Sequence, residues 1–377
     1  MFAVAAELAR RVRRYTWPTA AGRRNREFLR DRLVALPLLA VVGFGAFGWA
    51  YADVRGDSAY LRDRLAPALV GLADARASLF IAQGEAVRIL RAGQAVRIGE
   101  LSERYRTRVA RATQSLNQVA RSGALTVAEE QELRVVSALV VDFTGDIGQA
   151  QQADDAVLRK ARLASARTIL CSRPVRAEHR RERYPPCPAQ TGSSATAIVD
   201  RVAGLERQLR ERLADRAGWG DGVLTAAAVS GLALALFTVG LWRTLVFLRR
   251  RFRIRLSVPL AAGALPLLAV PLLAADALLA QHAQRQTLPV ARALAEETSP
   301  RVETVAEDYP FRAPLPRGIE VLADRFDDVL ADGRLALLDG TAPFVFPVGL
   351  AGAGLVGGAL HVYRREYLVV TRPGAAV

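Results

Sequence analysis

Four stretches of the chain, residues 33–52, 222–242, 256–275 and 341–363, are apolar and carry no formal charge. At about 1.5 Å of rise per residue, each is long enough to cross a hydrocarbon core of roughly 30 Å as a helix. The hydropathy pattern therefore predicts four transmembrane helices, over residues 33–52, 222–248, 256–280 and 341–363. Between the first two spans the pattern becomes amphipathic. Small or apolar residues recur at 61, 65, 68, 72, 75, 79, 82, 86 and 89, the alternating steps of three and four that make a helical seam. A second series, Ile98, Leu101, Tyr105, Val109, Ala112, Leu116 and Val119, stops at Ser122-Gly123. Thr126 and Glu129 then form a capping-box signature, since each can satisfy the other's free amide. The helix it opens carries Leu133, Val136, Val140, Phe143, Ile147 and Ala150 on one face and is expected to reach Leu170. A fourth helix is predicted from about Ser194, with Ile198, Val202, Leu205, Leu209 and Leu213 as its seam. Residues 53–217 show no strand-like alternation.

The predicted fold is an all-α membrane protein. Four transmembrane helices carry an extracytoplasmic antiparallel four-helix bundle over 53–221. A smaller helical cap over 281–340 is built from 288–295 and the series Ile319, Leu322, Phe326, Val329 and Leu330. Pro300, Pro310, Pro314 and Pro316 punctuate the space between those two helices.

Charge sets the expected orientation. The basic leader 1–32, the segment 243–255 and the tail 364–377 hold eighteen arginines against four acids. The whole chain is +15, so the remainder is close to neutral. Positive flanks stay inside. Both termini and the loop 249–255, with Arg249, Arg250, Arg251, Arg253 and Arg255, are expected to be cytoplasmic. Such basicity can also signal nucleic-acid binding. Its confinement to the flanks of spans assigns it instead to anionic lipid headgroups, and no nucleic-acid partner is expected. Trp49, Trp219 and Trp242 fall near span ends, where indole rings prefer to lie. Lys160 is the chain's one lysine against 51 arginines, the composition of a high-GC bacterium. The expected location is the plasma membrane of such a cell.

Ala50-Tyr51-Ala52 resembles a signal-peptidase site, and Arg23-Arg24 loosely resembles a twin-arginine signal. The apolar run exceeds a secretory core of about 7–15 residues, so a retained span is expected. Cleavage after Ala52 would leave three spans and the same orientation.

Cys171 and Cys187 both fall in the outer segment, where a disulfide is expected. It would close a proline-rich loop, a gain of roughly 3 kcal/mol in the chain-entropy model. His179 lies midway between them, but the spacing matches no zinc site, and neither metal nor cofactor is expected. Arg173, Arg176, Arg180, Arg181 and Arg183 in this loop are candidate contacts for an anion or partner; Glu178 and Glu182 among them favour a solvated tip. Asp276 ends the third span and is expected to be a solvated helix end. Asp154-Asp155 and Asp327-Asp328 are read as solvated helix faces.

Pro259, Pro266 and Pro271 predict a kinked third span. Gly349, Ala353 and Gly357, and also Gly354 and Gly358, form close-packing faces on the fourth, and Gly43, Gly45 and Gly48 do so on the first. Packing of the four spans against one another is the default expectation, and contact with a second copy is the alternative that the sequence does not distinguish. Spans 1, 2 and 4 offer no charged partner for a transport pathway. No phosphate-binding glycine loop, metal-protease motif or nucleophile elbow is present, and the chain is expected not to be an enzyme.

The order of span, seamed helices such as Leu61-Leu65 and Leu205-Leu209, and span over residues 33–248 resembles the extracytoplasmic four-helix-bundle sensory domains of bacterial chemoreceptors and sensor kinases. The resemblance implies ligand sensing. Two features depart from it. Gly218-Trp219-Gly220-Asp221-Gly222 should soften the rod into the second span, each glycine forfeiting about 1 kcal/mol of helix propensity. The residues after that span do not read as the linker and output domain of such receptors. The sequence therefore favours a non-enzymatic accessory or scaffold subunit whose bundle binds a protein partner, an envelope component or a second copy. A sensor-like receptor signalling through a separate cytoplasmic protein is the alternative.

Overall fold

A computed structural model describes residues 25–91, 103–171, 197–252, 258–298, 301–302, 311–312, 316–333, 335, 338 and 340–369. Apart from a two-residue antiparallel ladder, Arg301–Val302 (β1) with Phe311–Arg312 (β2), the described residues are helices and their connections. Four helices are long and apolar enough to cross a membrane, and the chain is a multi-pass membrane protein. It divides into two compact units made of interleaved segments.

The membrane unit comprises residues 1–56, 219–280 and 334–377. Its helices are α1 (Asn25–Tyr60), whose upper end passes into the second unit, and, numbered in chain order, α7 (Asp221–Phe252), α8 (Val258–Ala264), α9 (Pro266–Thr298), whose upper part also belongs to the second unit, and α11 (Ala342–Val369). A core of Leu36, Phe44, Phe237, Leu241, Leu260, Val356 and Leu360 joins them. The glycine faces are used within the chain. A Cβ on Gly349 would lie 2.3 Å from Cβ of Phe44, and one on Gly263 would lie 2.6 Å from Val356, so only glycine allows these approaches. A Cβ on Gly354 or Gly358 would meet no other part of the chain within 4 Å among the described residues. Val34, Leu38, Trp49, Leu232, Trp242, Leu268 and Leu350 are exposed in this unit, as expected where lipid is the solvent. The kink in the third span falls at Pro266. Leu265 and Leu268 there make three-residue rather than four-residue backbone bonds, because proline brings no amide.

The helical domain comprises residues 57–218 and 281–333. α1 runs beyond the apolar stretch 33–52 and continues through a π-helical turn, Leu61–Leu65, into α2 (Ala66–Arg91). α3 (Glu103–Arg121), α4 (Val127–Gln152), α5 (Ala156–Leu170), α6 (Ile198–Ala217), the upper part of α9, and α10 (Pro316–Asp332) pack with it. One core unites Leu65, Leu72, Leu79, Phe80, Leu116, Phe143, Ile147, Leu205, Leu209, Leu294 and Phe326. The predicted seams supply most of it: eight of the nine first-series positions, 61 through 86, are buried, and so are all six positions named for the third helix. The capping box forms, with Thr126 N–H donating to Glu129 at 2.7 Å and Glu129 N–H to Thr126 Oγ1 at 3.4 Å.

Four expectations need correction. The third predicted helix breaks at Ala153, whose backbone is extended, and α5 folds back against α4. Asp154 and Asp155 are both exposed, as solvated charge should be, but they sit at a helix stop and start rather than on a helix face, and Asp155 caps α5 by accepting from Val157 N–H at 3.0 Å. The domain is accordingly not a bundle of four helices. Residues 288–295 are not a separate cap helix but the continuation of span 3, because nothing between Asp276 and Leu288 breaks the helix. Asp276 is not solvated: it is fully buried. The glycine-rich joint does interrupt the chain. α6 ends at Ala217, Gly218 is extended, and α7 begins at Asp221.

Candidate functional site

The centre of the helical domain holds a buried ion pair. Arg76 on α2 donates from one terminal nitrogen to Glu206 on α6 at 2.9 Å, with both side chains about nineteen-twentieths buried. Its Nε donates to the backbone carbonyl of Thr298 at 3.0 Å, and its second terminal nitrogen to Thr298 Oγ1 at 2.8 Å. Thr298 is the last residue of α9, so the guanidinium caps that helix's negative end while neutralising a carboxylate from α6. Three helices meet at one cation. The second oxygen of Glu206 and both ends of the buried Gln83 amide have no hydrogen-bond partner among the described residues. Around this centre Asp74 accepts from Arg111 at 3.0 Å and from Ser115 at 2.8 Å, which binds α2 to α3. The hydrogen bond to Asp74 holds Arg111 above the ordinary arginine pKa.

A second cluster surrounds the π turn. The guanidinium of Arg216 lies 4.2 Å from the ring centroid of Tyr60, and that of Arg64 lies 6.0 Å from it. Arg216 also pairs with Asp57, and Arg212 with Glu129 and the Ala124 carbonyl. Tyr60 donates to that same carbonyl at 3.3 Å. The C-terminal end of α6 is thereby fastened to the chain just before the π turn and to the α3–α4 connection.

In the membrane unit, Asp276 gathers three residues from two other segments. Its Oδ2 accepts from Tyr51 Oη at 2.8 Å and lies 3.6 Å from Arg55; its Oδ1 accepts from Leu335 N–H at 2.9 Å. A carboxylate this deep is retained only when it is satisfied, and here it ties span 3 to span 1 and to the residues preceding span 4. Tyr51 belongs to the Ala50-Tyr51-Ala52 tripeptide, through which α1 runs unbroken; cleavage there would remove a ligand of Asp276.

A shallow furrow runs between α9 and α10, with adjoining hollows of about 500 and 480 Å³. Pro289, Ala293, Leu322 and Val329 floor it, with Glu296, Glu297, Arg317 and Arg325 along its length.

Of the residues singled out in the sequence, Cys171 is buried at the C-cap of α5, while Cys187, His179 and Arg173, Arg176, Arg180, Arg181 and Arg183 lie outside the described residues. Arg249 is exposed on α7, which continues through Arg250 and Arg251; Arg253 and Arg255 are outside the described residues. Sequence reasoning missed Arg76, Glu206 and Tyr51. One signal was available: Arg76 is the lone charge in the run Ala75-Arg76-Ala77-Ser78-Leu79-Phe80, where a solvated residue is out of place.

Fold and site together define a helical membrane protein whose helices carry buried charge both in the membrane unit and in a separate helical domain. Within that domain, residues 58–174 match a family described as actinobacterial sensor domain. The matched stretch begins just before the π turn and takes in α2, α3, α4 and α5, which supports both a sensory resemblance and an actinobacterial source. No curated protein and no solved structure matches the chain.

Proposed function

We propose that the chain is a non-enzymatic membrane sensor whose helical domain lies outside the cytoplasmic membrane. It receives a ligand or partner there and signals through a separate cytoplasmic protein that docks on the basic segments 1–32 and 249–255. The observation that carries this reading is the position of Arg76. It lies inside the sensor-like stretch and bonds to α6 and α9, the first leading into span 2 and the second rising from span 3. A rearrangement at this residue would reach helices that enter the membrane at separate places.

One observation favours the scaffold reading. The extended backbone at Gly218 interrupts the path from α6 to span 2, which suits a static platform better than a rigid transmitter. Crosslinked affinity purification of the full chain from native membranes separates the two. The sensory reading expects a cytoplasmic signalling protein captured through the basic segments. Recovery of envelope proteins alone would support the scaffold, and would end the sensory reading. Orientation is tested by single cysteines replacing Arg249 and Val141 in intact cells: a membrane-impermeant thiol reagent should label the second only.

A further inference from the structure

We propose that the π turn Leu61–Leu65 is a register joint, a stored extra residue through which α2 can turn against the helix below it, and that Arg216 holds it in its present setting. A π turn is closed by a bond from residue i+5 back to residue i, one residue longer than in an α-helix. Here Ala66 N–H bonds to the Leu61 carbonyl in that pattern. One residue of an α-helix is worth about 100° of rotation. Moving or absorbing the extra residue therefore turns everything on one side of it by about that amount, without unfolding either side.

Three features mark a built joint. The turn has a local cause in Pro67, two residues beyond it, which brings no amide to the helix ladder and crowds the Asp63 carbonyl, so the widened turn is favoured at this place in the chain. Leu61 and Leu65 are fully buried at its two ends and keep the core closed. The setting is read from outside the turn: Arg216, from the last turn of α6, stacks on Tyr60 immediately before it and pairs with Asp57 one turn earlier. Arg64, from within the turn, faces the same ring and approaches Gly123 in the α3–α4 turn. A displacement of α6 or of the α3–α4 turn thus acts directly on the residue that opens the π turn. As the conversion element of a receptor this rests on the sensory reading; as a property of the helix it does not.

The test is hydrogen exchange and thermal melting of the full chain in lipid nanodiscs. Amides of residues 62–66 should exchange at least ten-fold faster than those of 70–80. Deletion of Asp63 removes the extra residue and leaves the flanking faces in place. It should preserve helicity, move the melting temperature by no more than a few degrees, and abolish that difference in exchange. Deletion of Ala138, in the regular α4, should melt the domain. R216A should quicken exchange at 62–66 a further several-fold while leaving 70–80 unchanged. Protection at 62–66 equal to that of the flanks, or an Asp63 deletion that melts as early as the Ala138 deletion, overturns the joint. An R216A exchange pattern equal to the parent's overturns its control by Arg216. None of these readouts depends on a signal, so failure of the sensory reading would show in partner capture and not here.

Discussion

Arg76 and Glu206, 130 residues apart in sequence, meet at 2.9 Å with almost no exposure to solvent. Removing one partner leaves the other charged and buried. R76A or E206L should destabilise the helical domain by about 3–5 kcal/mol, while R76M combined with E206L should recover much of the loss. Thermal melts of the three variants in detergent, followed by helical circular dichroism, check this. A double variant as unstable as the sum of the singles would show that Arg76 acts mainly through Thr298.

Asp276 should show a graded response in the membrane unit. Y51F removes one hydrogen bond to a charged acceptor and should cost about 1.5–3 kcal/mol. D276L leaves Leu335 N–H and Tyr51 Oη without their acceptor and Arg55 without its neighbour, and should cost more than Y51F or D276N. Melting of the purified chain ranks them. Equal stability of D276L and the parent would mean that the cluster contributes nothing.

Glycines on the two faces of span 4 should part company. G349V drives carbon into Phe44 and should cost at least the 1–3 kcal/mol typical of overpacking, whereas G354A and G358A, with open space at Cβ, should leave melting unchanged. If G354A or G358A instead lowers stability or shifts the apparent mass in detergent, that face contacts a second copy.

Tyr105 gives a pH test. Burial pushes its hydroxyl up to about 12 from an ordinary value near 10. Above pH 10 the unfolded chain releases this proton and the folded chain does not, so the unfolded state gains and stability falls. The contribution is complete below pH 10 and is lost by pH 12, roughly 2–3 kcal/mol in all. Melting temperatures of the parent and Y105F between pH 9 and 11.5 should converge as pH rises if the parent starts the more stable, and in any case the parent should fall more steeply. Parallel curves would refute it.

Elements set by local rules were legible. Leu133 to Ala150 repeat at helical spacing, Thr126 and Glu129 lie three apart, and uncharged runs of 20 residues have few alternatives to lipid. What was not legible depends on partners remote in sequence. Tyr51 and Asp276 are 225 residues apart, and each taken alone reads as an ordinary residue at a span end. Asp154-Asp155 was legible in part: both acids are exposed, as solvated charge should be, but two adjacent acids do not announce the helix break and the fold-back of α5 that they mark. The π turn leaves no trace in the spacing from Leu61 to Leu65 to Ala68, which is ordinary for a helix; the one hint is Pro67, just beyond it.

The interleaving of the helical domain bears on its biosynthesis. Leu294 and Phe326 belong to its core, yet they emerge from the ribosome only after spans 2 and 3. Until then Leu72, Leu79 and Phe80 lack part of their cover, and the nascent chain presents an unfinished apolar surface through two membrane insertions. Quality control of this protein therefore has a natural checkpoint at the arrival of α9 and α10, and truncations between residues 218 and 281 should be degraded even though every residue of the sensor-like stretch has been made.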